Sequence, residues 1–316
     1  MKIVYITGCL GFIGSYVTRK CLEKGWMVYG IDKCTYAANI ELIEEFSKHP
    51  NFRFEKADIK DLDHLYDCDY VINTAAESHV ANSIISSDKF LETNVLGTKN
   101  LLELIRSKQK NVGKRPILLH FSTDEVYGDI VSGDHTEGDL LKPSNPYSAS
   151  KAAADMLVLA WARTYDLQYT IVRPANNYGI GQYPEKLIPL TVKNLNRSRK
   201  TCLHNGGEPY RCWLHADDTA EAVIKIIESE KLNEIYNISG HEEHKNIDTV
   251  EKIIKAYGYD IGSMDKYIDF SYSRQGQDVR YSVNDRKLQS LGWFPKKKFD
   301  EEIGSIVKYY KNKFIW

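Results

Sequence analysis

The run Thr7-Gly8-Cys9-Leu10-Gly11-Phe12-Ile13-Gly14 joins a short apolar strand, expected at residues 2–7, to a helix expected at residues 12–23. This junction limits the fold more than any other feature. Glycines spaced G-x-x-G-x-x-G remove side chains where the backbone must turn sharply and approach something closely. Ile13, Val17 and Cys21 then share one helix face. A strand that runs straight into a helix returns the chain to the start of the sheet, so the next strand lies parallel to the first. The same alternation continues. Strands are expected at residues 27–31, 52–56, 70–73, 117–121 and 169–173, and a long helix at 147–165. The expected class is α/β, with a doubly wound parallel sheet over residues 1–173. After Pro174 the pattern loosens, and turns such as Asn205-Gly206-Gly207 break it. Residues 174–316 are expected to form a smaller C-terminal lobe whose chain crosses back to the first domain.

In such a Rossmann-like sheet the loop after the first strand faces the ligand crevice, and the following helix offers free amide donors and a favourable dipole to a pyrophosphate. Gly8, Gly11, Phe12, Ile13 and Gly14 are the candidates for that role. Asp32 ends the second strand, 18 positions past Gly14 (32 − 14). Its carboxylate can accept from both ribose hydroxyls and would repel a 2′-phosphate, which favours NAD over NADP. Lys33 beside it reduces that preference. Asp32 also fits a plain turn residue at a strand end. Asp58 and Ile59, after the third strand, could hold the adenine edge, and Asp58 fits equally well as the cap of a helix beginning at Lys60.

Tyr147 and Lys151 are four apart in Asn145-Pro146-Tyr147-Ser148-Ala149-Ser150-Lys151, on one face of the long helix. A free phenol, with a pKa of about 10, is a poor base near neutrality. A nearby ammonium and a positive nicotinamide would favour the phenolate, which could then take a proton from a sugar hydroxyl as its hydride leaves. Thr123, Asp124 and Glu125 follow the strand at 117–121, just where a doubly wound sheet presents side chains to its crevice. Two adjacent acids can divide acid and base roles if their surroundings separate their pKa values. Ser122-x-x-Glu125 also fits a helix capping box.

Partners are bounded by charge and cysteine usage. The chain has 316 residues and a formal net charge of −1, so broad attraction to nucleic acid or to an anionic membrane is not expected. Six cysteines without C-x-x-C spacing argue against a zinc site or a disulfide framework and fit a reducing, cytoplasmic setting. No metal is expected. The N-terminal residues read as a strand and not as a leader, and no apolar run approaches membrane-spanning length.

Together these motifs resemble the extended short-chain dehydrogenase/reductase family, and within it the nucleoside-diphosphate-glucose 4,6-dehydratases, of which the dTDP-glucose type is best known. The resemblance runs from Gly8 to about Tyr309. It includes Ala75-Ala76-Glu77-Ser78-His79-Val80, Thr93-Asn94-Val95-Leu96-Gly97-Thr98, Arg173-Pro174-Ala175-Asn176-Asn177-Tyr178-Gly179 and Pro184-Glu185-Lys186-Leu187-Ile188-Pro189. It implies NAD as cofactor, with Ala75, Ala76, Thr93 and Asn177 added to the cofactor contacts. It implies a nucleotide-sugar substrate, dTDP-glucose or UDP-glucose, held by His79, Thr123, Asn176, Lys186, Leu187, Arg211, Asn246 and Arg274, mainly in the 174–316 lobe. By resemblance, Tyr147 deprotonates the C4 hydroxyl, Lys151 tunes it and holds the nicotinamide ribose, both also counting among the cofactor contacts, and Thr123 orients that hydroxyl. Glu125 removes the C5 proton, and Asp124 protonates the departing C6 hydroxyl. A homodimer joined through long helices is also implied. The chain departs from the family at Arg274-Gln275-Gly276-Gln277-Asp278, at Cys212 and His215, and in a short stretch between Glu125 and Tyr147. These departures lie on the nucleotide side and leave the base open. A 4-epimerase or decarboxylase on the same scaffold, or a catalytically silent NAD-binding protein, are the alternatives.

Overall fold

A computed structural model describes residues 1–112, 115–273, 276 and 278–313. The strands are β1 (Ile3–Thr7), β2 (Met27–Asp32), β3 (Phe52–Lys56), β4 (Tyr70–Asn73), β5 (Ile117–Phe121), β6 (Tyr169–Pro174), β7 (Asn176–Tyr178), β8 (Thr201–Cys202), β9 (Tyr210–His215), β10 (Glu234–Ile238), β11 (Glu242–Lys245) and β12 (Ile268–Asp269). The helices are α1 (Phe12–Glu23), α2 (Glu41–Ser47), α3 (Val80–Ile85), α4 (Asp88–Phe90), α5 (Thr98–Val112), α6 (Pro146–Tyr165), α7 (Leu187–Asn196), α8 (Ala216–Ser229), α9 (Asn246–Tyr257), α10 (Arg286–Gln289) and α11 (Phe299–Asn312).

Seven parallel strands form the main sheet in the order β10-β6-β5-β4-β1-β2-β3. The strand order reverses between β1 and β4, and this switch point opens a crevice at their carboxyl ends. Side chains alternate across the sheet. Val4 and Ile6 pack with Val17 and Cys21 of α1 and Val223 and Ile227 of α8. Tyr5 points to the other face, with Leu101 and Ile105 of α5 and Val158 of α6. Strands buried on both faces need apolar residues at every position, which is why they read as short apolar runs.

The C-terminal part is mixed. β10 pairs in parallel with β6, from Glu234 opposite Thr170 to Ile238 opposite Pro174, so the seventh strand of the main sheet comes from beyond Pro174. The remainder holds the three-stranded sheet β11-β9-β7 and the pair β12-β8. Its own core includes Tyr178, Trp213, Ile253, Phe299 and Tyr310.

Two local expectations differ. Lys60 begins a turn and no helix, so Asp58 caps that turn: its Oδ1 accepts from Lys60 N at 3.0 Å. The segment Leu91–Gly97 is a π-helix, wound wider than the ordinary helix implied for it. The wider turn is held by Asn94. Its Oδ1 accepts from Glu77 N at 2.9 Å, and its Nδ2 donates to Glu77 O at 3.0 Å and to Ser150 Oγ at 2.8 Å. The loop after β4 is thereby tied to the helix that carries Tyr147.

Candidate active site

Two adjoining clefts line the carboxyl ends of the strands and share Gly8, Gly11, Ala37, Thr74 and Ala76. They form one extended groove. The first half is lined by Asp32, Lys33, Asp58, Ile59, Ala75, Glu77 and Thr93, among others. The second is lined by Phe12, Ile13, Gly14, Thr123, Asp124, Glu125, Tyr147, Lys151, Asn176, Asn177 and Lys186, among others. Gly8, Asp32, Asp58, Thr74 and Thr123 meet here because each ends or closely follows a strand of the same sheet, while α6, β7 and the approach to α7 bring in Tyr147, Lys151, Asn176 and Lys186.

The glycine loop is built to pack without side chains. Gly8 has φ +72°, and a Cβ there would lie 2.8 Å from Ala75 Cα and N. A Cβ on Gly14 would lie 2.1 Å from Gly8 O. Neither backbone neighbour can yield, so the cradle exists only with glycine. Its neighbour Asp32 is buried; Oδ1 accepts from Cys34 N at 2.8 Å and Oδ2 from Leu10 N at 3.1 Å. Burial pushes its carboxyl upward, against those two amides and Lys33. Lys33 itself turns to Thr93 Oγ1 at 3.2 Å, Asp58 Oδ2 at 3.5 Å and Glu77 Oε1 at 3.9 Å. Around this half of the groove the acids outnumber the lysine. The groove therefore fits a dinucleotide with free ribose hydroxyls.

Thr123 caps the short helical turn Asp124–Tyr127, accepting from Glu125 N at 3.3 Å. The cap is Thr123 and not Ser122, so the Ser122–Glu125 capping box does not form. Thr123 Oγ1 also donates to Asp124 Oδ1 at 3.2 Å. Asp124 Oδ2 is buried with no partner among the described residues. Burial, then the charge of Glu125, pushes the Asp124 carboxyl up to about 7; Thr123 and the charge of Arg211 oppose this. Burial thus favours the protonated form of Asp124, as an acid requires.

Asn145 caps α6 in a full capping box with Ser148, and Pro146 occupies the first turn. This fixes Tyr147, whose backbone N donates to Ser83 Oγ at 3.2 Å. Burial and the charges of Glu125 and Asp124 hold the Tyr147 phenol above its ordinary range, while a hydrogen bond with Thr123 lowers it. Lys151 is buried, and its Nζ donates to Phe121 O at 2.5 Å. Burial brings its ammonium down to about 8, with Asp155 opposing. Asp155 is in turn clamped by Arg173, Nε at 3.0 Å and Nη2 at 2.9 Å, beneath the site.

The expected substrate residues divide. Asn176 lines the groove, and its buried Oδ1 has no partner among the described residues. Lys186 also lines it, with Nζ donating to Ser78 O at 2.7 Å. Asn177, expected at the cofactor, lines the groove but spends its side chain on the protein, donating to Ala175 O at 3.0 Å and accepting from Thr219 at 2.6 Å. His79 lies 4.0 Å from Glu185 and, like Leu187, Arg211 and Asn246, is outside the groove lining. Arg211 donates to the carbonyls of Tyr210 (2.6 Å) and Asp278 (3.2 and 3.3 Å), with its guanidinium 4.4 Å from the Tyr281 ring centre. Arg274, with the departures Gln275 and Gln277, lies outside the described residues.

Sequence reading missed three participants. Gln182 and Glu185 line the groove. Tyr281 brings its hydroxyl 3.4 Å from Glu125 Oε2. Glu185 stands inside a motif already singled out; Tyr281 carries no local signal.

Comparison with known proteins agrees with this geometry. The sequence profile of the GDP-mannose 4,6 dehydratase family matches residues 5–306. The chain is 38% identical to dTDP-glucose 4,6-dehydratase of Neisseria meningitidis, covering 100% of this chain and 95% of that protein. It is also 38% identical to the low-salt glycan biosynthesis protein Agl12 of Haloferax volcanii, with 97% and 98% covered. The crystal structure of the dTDP-glucose 4,6-dehydratase DesIV from Streptomyces venezuelae, solved with NAD bound, superposes with a TM-score of 0.92 at 35% identity, covering 98% of this chain and 97% of that one. On these grounds the chain belongs to the GDP-mannose 4,6 dehydratase family, among the extended short-chain dehydrogenases/reductases.

Proposed function

We infer that this protein is an NAD-dependent hydro-lyase, a nucleoside-diphosphate-glucose 4,6-dehydratase that turns dTDP- or UDP-glucose into the 4-keto-6-deoxy sugar. The observation that carries this reading is a single cleft lined by both Tyr147–Lys151 and Asp124–Glu125, with Asp124 poised to keep a proton near neutrality.

The roles follow from the surroundings of each group. Thr123 hydrogen-bonds the C4 hydroxyl and aligns it with Tyr147, which takes its proton. Lys151, a buried ammonium fixed on Phe121 O, favours the phenolate over the phenol. NAD held in this groove would supply a positive charge beside Tyr147 and a hydride acceptor and donor for C4 and C6. The 4-ketone acidifies C5–H, and Glu125 removes that proton. Asp124 protonates the C6 hydroxyl, which leaves as water. Glu125 returns a proton to C5, and the proton that Tyr147 took offsets, through solvent, the one that Asp124 gave, so the net change is loss of one water. Gly8, Gly11, Phe12, Ile13, Gly14, Asp32, Ala75, Ala76 and Thr93 would hold the cofactor. Asn176, Lys186 and the residues 174–316 around them would hold the nucleotide sugar.

Exposed Leu91 and Leu96 on the π-helix, with exposed Met156 on α6, suit a homodimer joined through the long helices. The cysteine pattern suits a cytoplasmic enzyme. Among the described residues no helix is long and apolar enough to cross a membrane.

The test is product analysis. The protein is incubated separately with dTDP-glucose and UDP-glucose, and products are identified by mass. Loss of one water from either sugar nucleotide supports the reading and names the base. An unchanged mass with inverted C4 would mean an epimerase. NAD binding with no turnover of either nucleotide sugar would mean a silent binding protein.

A further inference from the structure

Residues 179–182 join β7 to the approach to α7, with Gly179 packed beside Phe12 and Gln182 lining the groove together with the glycine loop. Gly179 and Gly181 have φ of 148° and 93°, in the region that favours glycine, so this segment has little stiffness of its own. Its shape is imposed by two tyrosines from elsewhere in the chain. Tyr310, near the end of α11, is fully buried. Its hydroxyl accepts from Gln182 N at 2.6 Å and lies 3.1 Å from Gly179 O and 3.0 Å from Gln182 O. A phenol has one hydrogen, so it donates to one of these carbonyls at a time. Tyr16 of α1 donates to Ile180 O at 3.0 Å. Thus pinned, Gln182 donates its Nε2 to Asn177 O at 3.0 Å and closes the segment onto β7.

We propose that Tyr310 and Tyr16 are positioning residues for cofactor retention: they fix residues 179–182 against the glycine loop and so set how slowly NAD leaves. The proposal rests on the dehydratase reading for its purpose. A reaction that takes a hydride from C4 and returns it to C6 is completed only if the same cofactor stays bound throughout. The hydroxyl of Tyr310 is well suited to this. Removing it leaves a buried amide and a buried carbonyl of the segment without their partner, which loosens the segment. The ring would still fill its place in the core.

The test measures NAD release from the holoenzyme without substrate: labelled NAD is bound and then chased with excess unlabelled NAD. Tyr310→Phe is expected to release NAD roughly tenfold faster or more, the rate equivalent of about 1.4 kcal/mol. Its KM for NAD should rise by a larger factor than its kcat falls. Tyr236→Phe serves as the control, since Tyr236 is a buried tyrosine of the main sheet whose hydroxyl has no partner among the described residues; its NAD release should match wild type. If Tyr310→Phe does not fold, Tyr16→Phe frees the same segment from the α1 side and should speed release in the same direction. Release at the wild-type rate in the folded Tyr310→Phe protein, or in Tyr16→Phe where that is the variant available, overturns the proposal. Because no sugar is present, that failure would leave the dehydratase reading intact. Absence of product from wild type would fail the dehydratase reading while leaving the release rates measurable.

Discussion

The hydroxyl of Tyr281 lies 3.4 Å from Glu125 Oε2 while donating to Asp278 Oδ2. One phenol therefore stands between two carboxylates, with the Arg211 guanidinium 4.4 Å from its ring centre. Tyr281→Phe removes the hydroxyl and leaves the ring stacked. Elimination should slow by roughly tenfold, the usual effect of losing one polar contact to a charged group, while oxidation at C4 persists. Stopped-flow absorbance of the reduced nicotinamide should then rise on adding substrate and decay slowly. Wild-type turnover would show that Tyr281 only packs.

Glu125→Gln should have a larger effect on the same step. In the proposed mechanism the Tyr147–Lys151 pair performs the oxidation without Glu125, so NAD binding and the first half-reaction should survive. Loss of a general base typically costs about 10²–10⁴-fold, which should leave reduced cofactor as the main bound species. If this variant instead fails to bind NAD, Glu125 belongs to the fold of the turn and not to the chemistry.

The Asp124 carboxyl, pushed up to about 7, gives a sign to the pH dependence. Below that value it holds the proton that the departing C6 hydroxyl needs; as pH rises through it, the acid is lost. Product formation in a single turnover should therefore decline above about pH 7. Lys151, brought down to about 8, adds a second loss at higher pH as its ammonium deprotonates. Asp124→Asn should be slow at every pH and lack the first decline, keeping the second. A decline near 7 that survives in Asp124→Asn would assign it to another group.

Cofactor choice depends on Asp32 and its neighbours. Asp32→Ala should weaken NAD binding by roughly tenfold and narrow the preference against NADP, since a carboxylate both accepts from a 2′-hydroxyl and repels a 2′-phosphate. Asp32 also holds the amides of Leu10 and Cys34, so absolute affinity mixes structure with recognition. The ratio of NAD to NADP affinity, measured by calorimetry, separates them. Lys33 is engaged by Thr93, Asp58 and Glu77 and should not rescue NADP binding. An unchanged ratio would reduce Asp32 to a turn residue.

Most of the main sheet, and many of the residues that line its crevice, were readable in the sequence because each leaves a local mark. A strand buried on both faces, such as Tyr70–Asn73, is an apolar run, and a residue just past it faces the crevice. The features that escaped leave no such mark. The strand Glu234–Ile238 alternates weakly and joins β6 from far along the chain. The π-helix at Leu91–Gly97 differs from an α-helix by a wider turn, which composition does not record. Tyr281 meets Glu125 across 156 positions, a contact made only by folding. Lys151 illustrates a finer limit. Its place on the face of Tyr147 follows from the four-residue spacing, but its commitment to Phe121 O depends on how closely α6 packs over β5.

Isotopes test the mechanism as a whole. If Tyr147 and Lys151 oxidise C4 in the same cleft where Asp124 and Glu125 eliminate water, the hydride taken from C4 should reappear at C6 of the product. A substrate deuterated at C4 should give a product deuterated at C6, seen by mass and by NMR. In the proposed mechanism the C5 proton goes to Glu125, and the Tyr281 hydroxyl lies 3.4 Å from that carboxylate. A carboxylate exchanges its proton with water quickly, so turnover of unlabelled substrate in heavy water should place deuterium at C5. Mixing C4-deuterated sugar with undeuterated sugar that carries a distinct second label should give no crossover in the wild type, because the cofactor stays bound. The same mixture should show crossover in Tyr310→Phe if that variant loses NAD between the two hydride transfers. Deuterium retained at C4 with inverted configuration would mean epimerisation. Neither that reaction nor a simple dehydrogenation uses an acid to expel the C6 hydroxyl, and a buried Asp124 held near neutrality would then have no task.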